Sequence, residues 1–218
     1  MLYPDNAAAV SVITIVKDGA SYLGQALTSI LAQSWPPGEI LVVDGQSSDD
    51  TAAIARSFSP AVGYLLQTDQ EIANARNLGL QAARGEWVAF LDHDDLWPVD
   101  KLEAQLAFML SQPELQYTTT LMQLVQDGSV TQSRPGCTPS ALLARRQVFE
   151  TVGLFDPRFR IGCDAEWITR ARDLGIASAV VPKVLLQKRL HATNLSRNGA
   201  LNRQEMMRIA KESIARRR

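Results

Sequence analysis

The sequence predicts an α/β fold in which a mostly parallel sheet is covered by helices. Two observations carry this. Short apolar runs alternate with longer helical patterns through the first half of the chain, the order expected when parallel strands are joined by helical crossovers. Two of those runs also end directly in acidic turns, at Asp44 and at Asp92, and loops beyond the carboxyl ends of such strands are where an open sheet collects its ligands.

The first strand is residues 11–16, broken by Lys17-Asp18-Gly19-Ala20-Ser21. Tyr22, Leu23, Ala26, Leu27, Ile30 and Leu31 then recur at helical spacing and make one apolar face. Pro36, Pro37 and Gly38 stop that helix. The second strand is residues 39–43, and residues 44–51 form a small, polar turn in which Ser48 or Asp49 caps the next helix. A third strand is expected at 62–66, a helix at about 72–83, and a fourth strand at 86–91 that runs straight into Asp92-His93-Asp94-Asp95. The second half is less regular. It reads as a helix over 98–110, a strand near 115–125, a hairpin turn at Asp127-Gly128, and helices over 140–151 and 164–174. Two apolar runs, 176–181 and 184–190, follow as strands, then a polar segment at 192–199 and a final helix.

With 218 residues and 46% hydrophobic content the chain can bury a sizeable core, which excludes a disordered protein. Lys and Arg number 22 against 23 Asp and Glu, so no overall field recommends a nucleic-acid partner. The charge is uneven, since residues 203–218 carry Lys211 and end in Arg216, Arg217 and Arg218. That stretch is either a solvated helical face or a surface that meets anionic lipid at the inner membrane face. Cys137 and Cys163 have neither metal-ligand spacing nor a disulfide framework, which points to reduced thiols and a cytoplasmic location. The N-terminal residues lack the basic and apolar regions of a leader, and no apolar run approaches the ~18–20 residues of a membrane span.

Asp44 and the Asp92, Asp94, Asp95 group are expected to face one crevice. Carboxylates that close repel one another unless a cation sits among them, and a divalent metal is the obvious one. Magnesium and manganese bind through one or two carboxylates together with the phosphates of a substrate, an arrangement that Asp92-His93-Asp94 suits. The alternative is structural: Asp44 forms a turn, and Asp94 or Asp95 starts the helix after Trp97-Pro98. No G-x-G-x-x-G follows the first strand and no G-x-x-x-x-G-K-[ST] occurs, so a metal would have to do for phosphate what those loops do elsewhere.

Ordered blocks then make a specific pattern. They are Ser11-Val-Ile-Thr-Ile-Val-Lys-Asp-Gly-Ala-Ser-Tyr-Leu23, Ser29-Ile-Leu-Ala-Gln33, Glu39-Ile-Leu-Val-Val-Asp-Gly-Gln-Ser-Ser-Asp-Asp-Thr51, Ala75-Arg-Asn-Leu-Gly79, Ala83-Arg-Gly-Glu86 and Phe90-Leu-Asp-His-Asp-Asp-Leu-Trp97. Phe149-Glu-Thr-Val-Gly-Leu-Phe-Asp156 and Gly162-Cys-Asp-Ala-Glu-Trp-Ile-Thr-Arg170 continue it. Over roughly residues 10–196 the chain resembles the family 2 glycosyltransferases.

The resemblance implies a GT-A fold, the Rossmann-like three-layer sandwich of nucleotide-diphospho-sugar transferases with a mixed, mostly parallel sheet. It implies one glycosyltransferase domain over residues 1–218, with a nucleotide-sugar-binding half at 10–97, an acceptor-binding and catalytic half at 98–200 and a basic helix at 201–218. The reaction implied is an inverting transfer from a nucleotide-sugar, commonly a UDP-sugar, to an acceptor hydroxyl, with Mn2+ or Mg2+. By the same resemblance Asp44 contacts the base, Ile15, Lys17 and Asp69 line the nucleotide pocket, Arg76 reaches the nucleotide or its phosphates, and Asp92 with His93 lies near the ribose. Asp94 binds the metal, Asp95 serves ligation or helix capping, and His191, in Arg189-Leu-His191, contacts metal or donor phosphates. Asp164 matches the general base, and a carboxylate that takes the acceptor's proton as the new bond forms is what a poor hydroxyl nucleophile requires. Its alternative is an N-cap of the helix that follows.

Three positions depart from the pattern. Gly45 stands where many relatives have a second Asp, Lys17 where an aromatic is common, and Cys163 where an acid often precedes the base. Residues 134–140 are expected to border the acceptor. The rival readings are a non-catalytic sugar-nucleotide-binding module, which loss of Asp94 or Asp164 would have favoured, and a nucleotidyltransferase, whose Gly-rich phosphate loop residues 16–22 do not supply.

Overall fold

The strands that begin the chain stand side by side because their side chains alternate between two helical layers. In a computed structural model, which describes residues 9–192, 194 and 199–218, β1 (Val10–Val16) pairs in parallel with β2 (Glu39–Asp44) and β4 (Trp87–Phe90), and β2 pairs in parallel with β3 (Gly63–Leu66). Residues 1–8 and most of the polar 192–199 segment lie outside the described residues. Val10, Val12, Val16, Trp87 and Ala89 bury one face against α1 (Leu23–Leu31), α2 (Thr51–Ser57) and α4 (Lys101–Leu110). Ile13, Val88 and Phe90 bury the other against α3 (Ile72–Ala82), α5 (Val148–Val152) and α6 (Cys163–Asp173). This period of two is what places helices on both faces.

The sheet runs β3-β2-β1-β4-β8-β5-β6, with β7 (Arg134–Pro135) and β9 (Ser178–Arg189) also paired to β5. Here β5 is Tyr117–Gln126, β6 is Ser129–Val130, and β8 is Leu143–Arg145. β8 is antiparallel to both its neighbours, so β5 runs in the same direction as β4. β9 is parallel to β5, and its last residues therefore arrive beside the acidic turn that follows β4.

Two expectations about the second half are corrected. The helix expected over 140–151 is a 3-10 turn at Pro139–Ala141, then β8, then the short α5. The buried run Leu142-Leu143-Ala144 fills the gap between β4 and β5, where a strand gains hydrogen bonds from both sides. The two strands expected at 176–181 and 184–190 are one, β9, whose register against β5 slips between Val181 and Val184, around Pro182, which has no backbone N–H for the ladder.

The final helix, α7 (Gly199–Arg216), packs on α6. Its Ile209 enters the second core, Ser213 donates to Asp173, and Arg216 and Arg217 both pair with Asp173 at the end of α6. Two of the three terminal arginines thus serve packing within the protein. Among the described residues no helix is long and apolar enough to cross a membrane.

Candidate active site

The acidic turn is built by contacts that reach across the whole chain. After β4, Asp92 accepts a backbone hydrogen bond from Asp95 through its carbonyl, and its own N–H donates to Ser140 Oγ at 3.0 Å. Ser140 in turn donates to Asp95 Oδ2 at 2.9 Å. Leu96 and Gln187 exchange both backbone hydrogen bonds, which ties the turn to β9. The Arg189 N–H donates to Asp95 Oδ1 at 3.2 Å, and Lys188 Nζ lies 3.5 Å from Asp95 Oδ2. Asp95 is completely buried among these partners. Burial pushes its carboxyl upward and Asp92 and Asp94 add to the rise, while Lys188 opposes it.

Asp94 faces a different group. Its Oδ2 lies 3.0 Å from His191 Nε2 and accepts from Asn194 Nδ2 at 3.0 Å, and His191 stacks on Tyr22 with ring centroids 4.8 Å apart. The turn therefore divides its acids, with Asp95 directed into the wall and Asp94 toward the segment after β9.

Asp92 joins the first half of the chain to the second. Arg76, buried on α3, sets one guanidinium nitrogen 3.2 Å from Asp92 Oδ1 and another 3.1 Å from Cys163 Sγ. Burial acts to raise Asp92, but Arg76 and Lys188 outweigh it and hold the carboxyl below its ordinary range. Asp164 lies in the first turn of α6, after the cap residue Gly162, and its Oδ1 accepts from the Ala165 N–H at 2.8 Å. The helix-cap alternative thus falls to Gly162. Burial raises the Asp164 carboxyl above the usual carboxylate range, the direction that suits a base taking a proton near neutral pH, while Arg76 and Lys188 pull against it. Burial also pushes the neighbouring Cys163 thiol up to about 11, which keeps it protonated and poorly nucleophilic.

Ile15, Lys17, Asp44 and Asp69, the residues expected at a nucleotide, lie along the carboxyl ends of β1 to β3, where Val16 pairs with Asp44 and Asp44 with Leu66. Two loops are laced together there: the N–H groups of Asp18, Gly19 and Ala20 donate to Ser47, Thr51 and Asp49, and that of Ser48 donates back to Asp18. A Cβ on Gly19 would come within 2.5 Å of His93, so only glycine lets this loop touch the acidic turn. Asp44 is buried, and it accepts from Ser47 N–H and hydroxyl through Oδ1 and from Tyr64 OH through Oδ2. Burial and that hydrogen bond push the Tyr64 phenol up to about 12. Both Asp44 oxygens thus shape the turn as the protein stands. Asp69 accepts from Gln67, Asn74 and the Glu71 N–H. Ile15 is half-buried and Lys17 exposed at the end of β1.

The structure brings Arg76, Asp92, Asp94, Asp164 and His191 together beyond the carboxyl end of β4, turns Asp95 into the wall beside them, and sets Ile15, Lys17, Asp44 and Asp69 along the carboxyl ends of β1 to β3. Sequence reasoning missed Lys188, Asn194 and Glu205, and it placed Ser140 in the segment 134–140 without its contacts to the acidic turn. Glu205, on α7, accepts from the N–H groups of Arg160, Ile161 and Gly162 and so fixes the loop that ends at Asp164. The available signal for Lys188 was its place in Gln187-Lys188-Arg189, a polar run at the end of an apolar strand.

Oxygen and imidazole donors fit a hard divalent ion such as Mn2+ or Mg2+. Among the described residues no three His, Cys, Asp or Glu side chains close into one metal-binding group. A cleft of about 300 Å³ lined by Gln116, Val148 and Ile176 lies at the start of β5, the opposite sheet edge from these acids.

Residues 11–153, more than half of the chain, match the sequence model of the family described as glycosyl transferase family 2. The chain is 38% identical over 125 residues to the putative teichuronic acid biosynthesis glycosyltransferase TuaG of Bacillus subtilis, a stretch that covers 55% of this chain and 49% of that protein. Its fold is similar to that of S. aureus TarS 1-349 in complex with UDP-GlcNAc, with a TM-score of 0.77 and 20% identity over 88% of this chain and 61% of that one. It is similar also to the mannosyltransferase PcManGT from Pyrobaculum calidifontis in complex with GDP-Man and Mn2+, with a TM-score of 0.77 and 20% identity over 97% and 67% of the two chains. The chain thus spans about half the length of the Bacillus relative.

Proposed function

The chain belongs to glycosyl transferase family 2 and has the GT-A fold, and on that premise we propose that it moves a sugar from a nucleotide diphosphate donor to an acceptor hydroxyl with inversion. The donor is a UDP-sugar in this reading, because UDP-GlcNAc occupies TarS, a protein of the same fold. The observation that carries the proposal is the convergence of Asp94 with His191 and of Asp92 with Arg76 and the neighbourhood of Asp164, contributions from both halves of the chain.

The nucleotide lies along the carboxyl ends of β1 to β3, with Asp44, Asp69, Ile15 and Lys17 beside the base and Asp92 and His93 toward the ribose. Asp94 and His191 would hold a divalent ion, which would supply stabilisation of the negative charge that accumulates on the departing diphosphate. Arg76 is fully buried and charged, so it fixes Asp92 and supplies positive potential to the same crevice. Asp164 takes the acceptor's proton while the oxygen attacks opposite to the leaving group, and residues 134–140 border the acceptor. Asp95 holds the turn in place from inside the wall. The proposal includes one domain and a cytoplasmic location, with which the unpaired Cys137 and Cys163 agree. In this reading the basic end of α7 is a solvated helical face, since Arg216 and Arg217 pair with Asp173.

Calorimetric titration with UDP, GDP and dTDP, with and without Mn2+, tests this reading, with Asp94→Ala as the control. Metal-dependent binding of one nucleotide that disappears in the variant supports it. Nucleotide binding without transfer to any acceptor would replace it by a non-catalytic sugar-nucleotide-binding module.

A further inference from the structure

The crevice has a cation of its own. Lys188 sits near the end of β9 with its side chain only 19% exposed, 3.5 Å from the buried Asp95 carboxylate. Its ammonium also feels the charges of Asp92, Asp94 and Asp164, which, with Asp95, hold it firmly protonated despite burial. Among the described residues Arg76 is a second cation of the cluster, and it is committed to Asp92 and Cys163. Asp94, with His191, is the acid of this turn that faces away from the wall, and the negative charge of the carboxyl groups around it favours a divalent ion there with or without a substrate. A fixed cation among these carboxyl groups opposes that, since a positive charge near a metal site weakens the metal's binding there.

We propose that Lys188 is a positioning residue that acts as the internal counter-cation of the acidic turn: it anchors Asp95 in the wall and offsets enough of the carboxylate charge that a divalent ion binds strongly only together with a nucleotide diphosphate. The inference rests on the donor reading above for the diphosphate, but its charge argument stands on the described cluster alone. The same positive charge attracts the diphosphate before a metal arrives, so Lys188 acts oppositely on the two components. A residue with only a packing role would weaken both together.

The experiment measures Mn2+ binding to the nucleotide-free protein by the paramagnetic resonance signal of free Mn2+, and UDP binding by calorimetry with and without Mn2+. The proteins are the parent, Lys188→Met, Lys188→Gln and Lys188→Arg, with circular dichroism and melting curves as the fold control. Two neutral variants are used because the glutamine keeps a hydrogen bond to Asp95 where the methionine does not. The expected result is Mn2+ binding about tenfold tighter in a folded neutral variant, with metal-free UDP binding about tenfold weaker, and parent-like values for Lys188→Arg. Mn2+ binding equal to or weaker than the parent's in the folded neutral variants overturns the proposal. If no protein of the set binds UDP, GDP or dTDP under any condition, the donor reading fails, and the Mn2+ titration still decides the role of Lys188.

Discussion

His191 and Asp94 meet with Nε2 3.0 Å from Oδ2 although 97 residues separate them in the chain. Nothing local to either residue requires the contact; β9 delivers one to the other. Asp94→Ala removes the shared acceptor of His191 and Asn194 and is expected to abolish metal-dependent nucleotide binding in a calorimetric titration. His191→Ala, which leaves Asp94 in place, should weaken the metal's apparent affinity at least about tenfold. An unchanged metal dependence in His191→Ala would remove the histidine from the metal site.

Asp164→Asn separates catalysis from binding. Without a base, transfer should fall by about 10²–10⁴-fold while UDP affinity stays near that of the parent. Transfer at the parent rate in an assay with any active acceptor would show that the base is elsewhere.

The pH dependence follows from burial of the same carboxyl. Its folded pKa lies above the unfolded value. Stability from this group is therefore full below the unfolded pKa and is lost as pH rises through the folded pKa, where the buried charge appears. Transfer should rise over that same interval as the base ionises. Asp164→Asn carries no such charge, so near neutral pH it should melt above the parent, by roughly 2–4 °C for each kcal/mol regained. A lower melting temperature than the parent at neutral pH would contradict this account of the carboxyl.

Glu205 offers a stability test away from the metal. Its carboxylate takes three successive backbone N–H groups ahead of α6. Glu205→Ala leaves them without that acceptor, at a cost of roughly 2–4 kcal/mol measured by denaturant unfolding. Because the loop leads into Asp164, kcat should fall while UDP binding does not, and Glu205→Gln should recover much of both losses.

Gly19→Ala tests the contact between the first loop and the acidic turn. A methyl group there meets Val16 at 2.4 Å and His93 at 2.5 Å. Displacing them should cost about 1–3 kcal/mol of stability and weaken nucleotide binding, read by melting and calorimetry.

The first half of the fold was legible because its strands are short apolar runs closed by turn residues, as in 39–43 before Asp44 or 86–91 before Asp92. Residues 140–151 misled because Ala141, Leu142, Leu143 and Ala144 favour a helix locally, whereas a gap between two strands decides their conformation. Pro182 read as a break, but the sheet absorbs it as a slip in register within β9. The resemblance pointed to Asp94, Asp164 and His191, and the fold brings Asp94 and His191 into contact. The lacing of Asp44 by Ser47 and Tyr64, the inward turn of Asp95 and the position of Lys188 depend on which strands become neighbours. Glu205 gave no signal at all, because one acidic residue on a charged helix looks like any other until its three backbone partners are in place.

The return of β9 to the acidic turn has a consequence for inheritance. A gene segment ending at residue 153, where the family match stops, would encode strands β1 to β8 and the acidic turn without Lys188, His191, Asp164 or the Glu205 brace. Recombination between relatives at that boundary would join halves whose charges had not been selected together.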